Sequence, residues 1–289
     1  MVHRKRRMVM QGKLYLCATP IGNLEDITYR VVRTLGEVDL IAAEDTRNSI
    51  KLLNHFAIKT PMTSYHEHNK MAKGEVLVQR LLAGESIALI TDAGTPGISD
   101  PGEELVKMCY DAGIEVTSLP GAVACITALT ISGLPTRRFA FEAFLPSDKK
   151  ERKVILAELK DETRTIILYE APHRLLKTLS ELLENLGERQ ASVCRELTKR
   201  YETVVRLPLS QMQEYYETNP VKGECVIVIE GLSHEAIALE KQQEWLKVSV
   251  EEHLQEYLEK GFDKREAIKM VAKDRNVSKR EIYNQVNAN

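Results

Sequence analysis

Short apolar runs alternate with segments of helical spacing along residues 13–136, and this alternation limits the fold more than any other feature. The apolar runs have the length of buried strands and lie at residues 13–18, 38–43, 86–90 and 114–119. The segments after them predict helices at residues 24–35, around 52–56, and at 75–82, 103–110 and 122–131. Strands that alternate with helices form a mostly parallel sheet with helices on its faces. We therefore predict an α/β domain over residues 13–136.

A second α/β domain is predicted over residues 137–235, where strand-like and helix-like segments again alternate. The chain becomes more charged from residue 236 onward, and its apolar residues there have the spacing of three short helices. Asp263 and Ser278 are the expected N-caps, and the spacing resembles a helix-turn-helix. Residues 1–12 form a basic tail. The expected fold is therefore two α/β domains with a cleft between them and a small helical domain at residues 236–289.

The sequence ITDAGTPGISDPG at residues 90–102 joins a predicted buried strand to a helix. A simple strand-to-helix connection needs only about two to six residues, whereas this one is longer and interleaves glycines, prolines, hydroxyls and carboxylates. Similar loops rich in proline and glycine follow two other strands, at residues 19–23 and 120–121. Loops at the carboxyl edge of an open α/β sheet form the ligand crevice. We therefore predict one pocket built by these three loops.

The composition is that of a globular protein, with 43% apolar residues, 28% charged residues and a net charge of −2. A polyanionic partner would therefore have to be bound by local basic patches. The sequence has no apolar stretch long enough to span a membrane, and the basic N-terminus lacks the apolar segment of a signal peptide. The five cysteines are scattered without a CxxC pair, which favours reduced core thiols and a cytoplasmic protein.

The loops lack the motifs of proteins that bind nucleoside triphosphates or dinucleotides. Neither GxxxxGK[ST] nor a GxGxxG opening a helix after the first strand occurs. A ligand held by backbone groups and shape, with little net anionic charge, suits the loops better, and S-adenosylmethionine is such a molecule. His66 and His68 lie in a predicted polar loop at residues 60–70, but no third ligand is nearby, so we predict no metal site.

Eight motifs, in order along residues 13–231, carry a resemblance to a known family. They are ATPIGNLEDIT (18–28), IAAEDTR (41–47), ITDAGTPGISDPG (90–102), LPGAVACITAL (119–129), FAFEAFLP (139–146), YEAPHR (169–174), RELTKRYE (195–202) and KGECVIVIEG (222–231). In these motifs the chain resembles the ribosomal RNA small subunit methyltransferase I family of the tetrapyrrole methylase superfamily. The helical segment at the C-terminus also resembles the small C-terminal domain of that family.

This resemblance implies a fold of the tetrapyrrole methylase type and an enzyme, usually a homodimer, that binds S-adenosylmethionine between its two domains. The implied reaction is methylation of the ribose 2′-hydroxyl of a cytidine in small-subunit (16S) ribosomal RNA. The superfamily's glycine-rich first loop is replaced by ATPIGN in this chain, as in the family itself. The implied cofactor-binding residues are Pro20, Gly22, Asp92, Gly94, Thr95, Pro96, Ser99, Gly121, Ala122, Val123, Tyr169, Glu170, Ala171, Glu224 and Cys225.

Methyl transfer from a sulfonium is an in-line displacement, so the protein must chiefly align oxygen, carbon and sulfur. A base or a cation that assists the ribose hydroxyl would add a factor of about 10² to 10⁴ in rate. The candidate catalytic residues are Glu44, Asp45, Arg47, Glu170 and Lys199, with Asp92 and Glu196 as further candidate bases. The candidate RNA-binding residues are Lys149, Lys150, Arg152, His173, Arg174 and Arg195.

Several of these assignments have a structural alternative. The alternative for Glu44 and Asp45 is a helix N-cap pair, and for Glu196 with Lys199 it is a surface ion pair. The cations at residues 149–153 are also explained as a solvated helix start. For the whole chain, the alternatives are a tetrapyrrole methyltransferase of the same superfamily and a non-catalytic RNA-binding protein.

Overall fold

The structure is a computed structural model that describes residues 12–286, so the predicted basic tail lies almost wholly outside the described residues. The first sheet has five parallel strands in the order β3-β2-β4-β1-β5. The strands are β1 (Lys13–Cys17), β2 (Leu40–Ala43), β3 (Met62–Ser64), β4 (Ile87–Ile90) and β5 (Glu115–Leu119). The helices that follow them are α1 (Tyr29–Glu37), α2 (Thr46–His55), α3 (Lys70–Leu82), α4 (Glu103–Asp111) and α5 (Ala124–Ile131). The prediction of a parallel α/β sheet is confirmed.

Two local predictions in this region are wrong. The segment predicted as a polar loop at residues 60–70 contains β3, an edge strand of three half-buried residues that is too short to show alternation. The first helix starts at Tyr29 instead of residue 24, because the Thr28 hydroxyl accepts the Val31 N–H at 3.2 Å and caps it there. This helix also continues through Gly36, where it was predicted to end.

The second sheet is mixed, in the order β6-β7-β10-β8-β9. Its strands are β6 (Phe139–Phe144), β7 (Thr165–Glu170), β8 (Gln190–Arg195), β9 (Thr203–Pro208) and β10 (Cys225–Ile229). Only the β6–β7 pair is parallel, and β8 and β9 form an antiparallel hairpin. The helices α6 (Lys149–Leu159), α7 (Leu175–Leu186) and α8 (Leu209–Thr218) contribute to the apolar core on one face of this sheet.

The other face of the second sheet is covered by α5, which follows the last strand of the first sheet. Cys125, Ala128 and Leu129 of this helix form one buried cluster with residues of β7, β8 and β10. Apolar burial of this kind is the main favourable term in folding, so α5 fastens the two sheets to each other. The division of the chain at residue 136 stays a prediction.

Four helices follow the second sheet, one more than was predicted. They are α9 (His234–Leu246), α10 (Val250–Glu259), α11 (Lys264–Asp274) and α12 (Lys279–Val286). The unpredicted helix is α9, whose apolar residues 236–239 are consecutive and therefore define no single apolar face. The predicted N-caps are confirmed, since Asp263 accepts the Glu266 N–H at 2.8 Å and Ser278 accepts the Glu281 N–H at 3.2 Å. Among residues 12–286, every helix is too short or too polar to cross a membrane.

Candidate active site

A cavity of about 490 Å³ lies between the carboxyl edge of the first sheet and the second sheet. The first sheet supplies loops that follow β1, β2, β4 and β5, and the second sheet supplies the ends of β6, β7, β8 and β10. The predicted site residues that line this cavity are Glu44, Asp92, Gly94, Thr95, Ser99, Val123, Tyr169, Glu196, Lys199, Glu224 and Cys225. The structure therefore brings residues from both α/β units to one place.

The loops that follow β1, β4 and β5 are joined by hydrogen bonds. Thr19 and Gly94 exchange two backbone hydrogen bonds, with N···O distances of 2.8 and 3.1 Å. Gly94 has a φ of +85°, a conformation that glycine adopts without the steric cost of a Cβ. The Thr95 hydroxyl donates to the Ala122 carbonyl at 3.0 Å, which ties the loop after β4 to the loop after β5. These bonds make one continuous wall from three separate loops.

Tyr169 of β7 forms part of the opposite wall and reaches across to α5. Its hydroxyl accepts the Cys125 N–H at 3.1 Å, in the first turn of α5. Burial raises the pKa of Tyr169 above its ordinary value, so the phenol stays neutral. Its ring meets Phe141 and Phe144 edge-on, with centroid distances of 5.0 and 5.6 Å. Tyr169 is thereby held in place from both sides.

Acidic side chains dominate the charge of the cavity. The Glu44 carboxylate accepts the Asp92 N–H at 3.2 Å, and burial raises the pKa of Glu44. Burial also raises the pKa of Asp100 to about 6, and the nearby carboxylates of Glu44 and Glu224 add to the shift. Lys199 is paired with Glu196 at 3.0 Å. This arrangement favours a ligand that carries positive charge.

Asp100 lines the cavity but was absent from the predicted site residues. It belongs to the same loop motif as Asp92 and follows Ser99 directly. Its place in this motif is the sequence feature that could have identified it as a site residue. The carboxylate is half-buried in the structure, and three other carboxylates act on it. A loop sequence does not specify which of its side chains turn toward the ligand.

Other predicted cofactor residues lie beside the cavity but do not line it. Pro20 and Gly22 line a neighbouring cavity of about 240 Å³ that also contacts Asp92. A Cβ on Gly22 would lie 2.5 Å from Cγ of Lys199 and 2.8 Å from the Leu197 carbonyl oxygen. Gly22 therefore allows the two α/β units to approach closely. The remaining residues outside the lining of the main cavity are Pro96, Gly121, Ala122, Glu170 and Ala171.

Asp45 and Arg47 are a helix cap and its partner, and their assignment as catalytic residues stays a prediction. The Asp45 carboxylate accepts the Arg47 N–H at 2.8 Å and caps α2. It also accepts hydrogen bonds from the Arg47 guanidinium, which hold the pKa of Asp45 down at about 2. Neither residue lines the cavity. The N-cap alternative is therefore correct for Asp45, whereas Glu44 turns into the cavity.

Glu170 and Arg152 belong to a buried polar network below the cavity. Glu170 accepts the Thr178 hydroxyl at 2.5 Å and lies 3.3 Å from Nε of Arg174. Arg152 donates to Thr178 at 2.7 Å and to Glu181 at 2.5 Å. Both charged side chains are almost fully buried, with 1% and 6% of their surface exposed. This buried position favours a structural role for both side chains over contact with cofactor or RNA.

Exposed cations lie along one rim of the second α/β unit. Lys149, Lys150 and His173 are exposed, so they remain available to a polyanion. Arg174 is half-buried, since it donates to the Leu145 carbonyl at 2.9 Å and pairs with Glu170. Arg195 lies in a different groove, where it donates to the Thr203 hydroxyl and the Lys222 carbonyl. The structure therefore favours the first three over Arg174 and Arg195 for phosphate contacts.

The cysteines and histidines offer no cluster for a metal within residues 12–286. All five cysteines are buried and free. Burial raises the pKa of each thiol, to about 12 for Cys225 in the cavity wall. A thiol with such a pKa stays protonated at neutral pH and is a poor nucleophile or ligand.

The sequence and the fold match those of a known family. The family model for Tetrapyrrole (Corrin/Porphyrin) Methylases matches residues 13–213. A protein of Halalkalibacterium halodurans named "Ribosomal RNA small subunit methyltransferase I" is 50% identical over 275 residues, which span 95% of this chain and 94% of that protein. The protein of the same name from Bacillus subtilis is 48% identical, over 96% of this chain and 97% of that protein. The chain belongs to this methyltransferase family.

Solved structures of other tetrapyrrole methylases and related enzymes share the fold. A diphthine synthase has a TM-score of 0.62 at 13% identity, over 78% of this chain and 92% of that chain. Uroporphyrin-III C-methyl transferase from Thermus thermophilus, solved in complex with S-adenyl homocysteine, has a TM-score of 0.54 at 19% identity, over 76% of this chain and 97% of that chain. The predicted tetrapyrrole methylase fold is thereby confirmed.

Proposed function

We propose that this methyltransferase transfers a methyl group from S-adenosylmethionine to the ribose 2′-hydroxyl of a cytidine in small-subunit (16S) ribosomal RNA. The observation that carries this proposal is the identity of about one half, over nearly the whole chain, to proteins named as ribosomal RNA small subunit methyltransferases. The cavity between the two sheets supports it, because the cavity joins residues from most of the motifs on which the resemblance rests.

The residues of the cavity fit S-adenosylmethionine, which supplies an activated methyl group when bound. Gly94 and Thr95 give the wall little side-chain bulk beside the loop after β5. The carboxylates of Asp92, Asp100 and Glu224 complement the positive charges of its sulfonium and amino groups. The volume of about 490 Å³ lies in the ordinary range for a small-molecule site.

Glu44 and Lys199 are the best-placed catalytic candidates. Glu44 comes from the first α/β unit and Lys199 from the second, and both line the cavity. Burial raises the pKa of Glu44, which makes this carboxylate a stronger base toward a ribose hydroxyl. Lys199 supplies a positive charge that stabilises the alkoxide as it develops. The main contribution of the other cavity residues is alignment of the oxygen, carbon and sulfur atoms.

The proposed partner is the small ribosomal subunit, bound in part through Lys149, Lys150 and His173. We propose a cytoplasmic location, because the proposed substrate is ribosomal. We also propose a homodimer, as the family resemblance implies. Sedimentation velocity at micromolar concentration tests this assembly: a species of twice the mass of 32.7 kDa supports it, and a monomer contradicts it.

Transfer of a labelled methyl group tests the reaction. Small subunits from cells that lack the protein are incubated with labelled S-adenosylmethionine and the purified chain, in parallel with a porphyrinoid. We expect label in 16S RNA, recovered after digestion as 2′-O-methylcytidine and identified by mass. Label on the porphyrinoid would support the tetrapyrrole alternative. S-adenosylmethionine binding without any transfer to RNA would contradict the proposed reaction.

A further inference from the structure

Phe144 is an exposed aromatic side chain in the wall of the cavity. It is the last residue of β6, it lines the cavity, and 42% of its surface is exposed. Phenylalanine is among the residue types most often buried in a domain. An aromatic ring that faces an open cleft therefore needs an explanation in terms of what contacts it.

The backbone of β6 is distorted where it presents this ring. Phe141 pairs with Ile167 of β7, but the next pair joins Phe144 to Tyr169, so β6 carries one extra residue. Within this bulge, Ala143 has a φ of +50°, a left-handed conformation that is unfavourable for a residue with a Cβ. Bulges of this kind occur next to active sites, where they change the direction of a side chain.

The extra residue reverses the face on which Phe144 lies. Side chains alternate along a regular strand, so Phe144 would lie on the face opposite to Phe141. The bulge brings both rings to the same side, and both meet Tyr169 edge-on, at 5.0 and 5.6 Å between centroids. Tyr169 is itself fixed by the Cys125 N–H. The ring of Phe144 is thus supported from behind while its exposed surface faces the cleft.

The chain that follows Phe144 leads to exposed cations. Arg174 holds this segment by donating to the Leu145 carbonyl at 2.9 Å and to the Ser147 hydroxyl at 3.5 Å. The exposed Lys149 and Lys150 then begin α6, whose first turn is capped by Asp148. An aromatic face next to cations is the usual composition of a site for unpaired nucleotides, in which the ring stacks on a base and the cations contact phosphates.

We propose that Phe144 is the stacking platform for the base of the nucleotide whose ribose is methylated. The inference rests on the proposed function and adds to it the residue that holds the target base out of the RNA stack. The RNA base is favoured over the adenine of the methyl donor because Phe144 is much exposed and adjoins the cationic segment. The acidic loop after β4, which suits the positively charged methyl donor, lies in the opposite wall, which the other α/β unit forms.

The test compares Phe144→Leu with Phe144→Tyr, and uses Phe139→Leu as the matched control. Phe139 lies on the same strand and is 38% exposed, but it is outside the lining of the cavity. Phe144→Leu removes the aromatic ring and with it the stacking on the base, so kcat/KM for small subunits should fall by about 5- to 150-fold. Phe144→Tyr and Phe139→Leu should keep wild-type values, and the Kd for S-adenosylmethionine by calorimetry should not change in any variant.

The outcomes separate this inference from the proposed function. A value of kcat/KM for subunits in Phe144→Leu within about twofold of wild type would overturn the stacking role. An equal loss in affinity for S-adenosylmethionine would assign the ring to adenine instead and would also overturn it. If the wild-type protein transfers no methyl group to RNA, the proposed function fails and this inference fails with it. Thermal melts of all three variants identify any that fail to fold.

Discussion

Replacing Glu170 with alanine tests whether this carboxylate stabilises the second α/β unit instead of reacting with substrate. Its side chain is 1% exposed, accepts the Thr178 hydroxyl and lies 3.3 Å from Nε of Arg174. Removal of one partner from a buried ion pair costs about 3–5 kcal/mol in the free energy of unfolding. The Arg152 guanidinium also lies 4.0 Å from the Glu170 carboxylate. Since Arg152 keeps its contact with Glu181 at 2.5 Å in the variant, we expect the lower end of this range, about 3 kcal/mol. In a chain of 289 residues that loss lowers Tm by roughly 5 °C.

Calorimetric melts of Glu170→Ala, Glu170→Gln and the control Glu184→Ala provide the measurement. Glutamine keeps an acceptor for Thr178 but loses the charge, so we expect a smaller loss, about 1–2 kcal/mol. Glu184 is exposed on α7, the helix that carries Thr178, and its replacement should change stability by less than about 0.5 kcal/mol. The Kd for S-adenosylmethionine should stay at its wild-type value in all three. A Glu170→Ala variant with wild-type Tm but no methyl transfer would refute the structural role.

Three further predictions concern the cavity. Because burial raises the pKa of Asp100 to about 6, its protonated form contributes stability below about pH 4 that is lost as the pH rises through 6. Asp100→Asn should remove this part of the pH dependence of Tm and weaken S-adenosylmethionine binding more than S-adenosylhomocysteine binding; an unchanged pH profile would contradict it. Gly22→Ala should push Lys199 away and weaken S-adenosylmethionine binding by about tenfold or more in calorimetry. A Cβ on Gly36 would meet open space, so the control Gly36→Ala should bind S-adenosylmethionine normally and gain about 0.5–1 kcal/mol in the free energy of unfolding. Equal affinities of the two variants for S-adenosylmethionine would refute the close approach at Gly22. Burial of Cys225 should prevent its reaction with a thiol reagent at about pH 8 in the folded protein, whereas the thiol should react in denaturant. Absorbance of the released chromophore follows the reaction, and rapid reaction of Cys225 in the folded protein would contradict the prediction.

The order of strands and helices was predictable because each sheet element leaves a pattern in the sequence. The runs that became β2, β4 and β10 are apolar throughout, as expected for strands buried on both faces. The edge strand β3 left no such pattern, since its three residues are only half-buried. The start of α1 was not predictable from apolar spacing, because that spacing begins at residue 24 whereas the capping bond at Thr28 starts the helix at Tyr29.

The convergence of the loops was predictable, but the direction of individual side chains was not. Residues at strand ends lie at the correct edge of the sheet, yet Glu170 turns into the core while its neighbour Tyr169 lines the cavity. The buried position of Arg152 follows from its spacing of four residues from Leu156, which is on the apolar face of α6. The position of Phe144 depends on a bulge that reverses strand alternation, and the sequence does not mark that bulge with a glycine.

A crystal structure of the protein with S-adenosylhomocysteine tests the central claim most directly. We predict that the ligand lies in the cavity between the two sheets, against the loop that contains Gly94 and Asp100 on one side and Tyr169 and Cys225 on the other. Density for the ligand in the groove lined by Arg195 and Tyr216, or at any place that contacts only one of the two sheets, would contradict it.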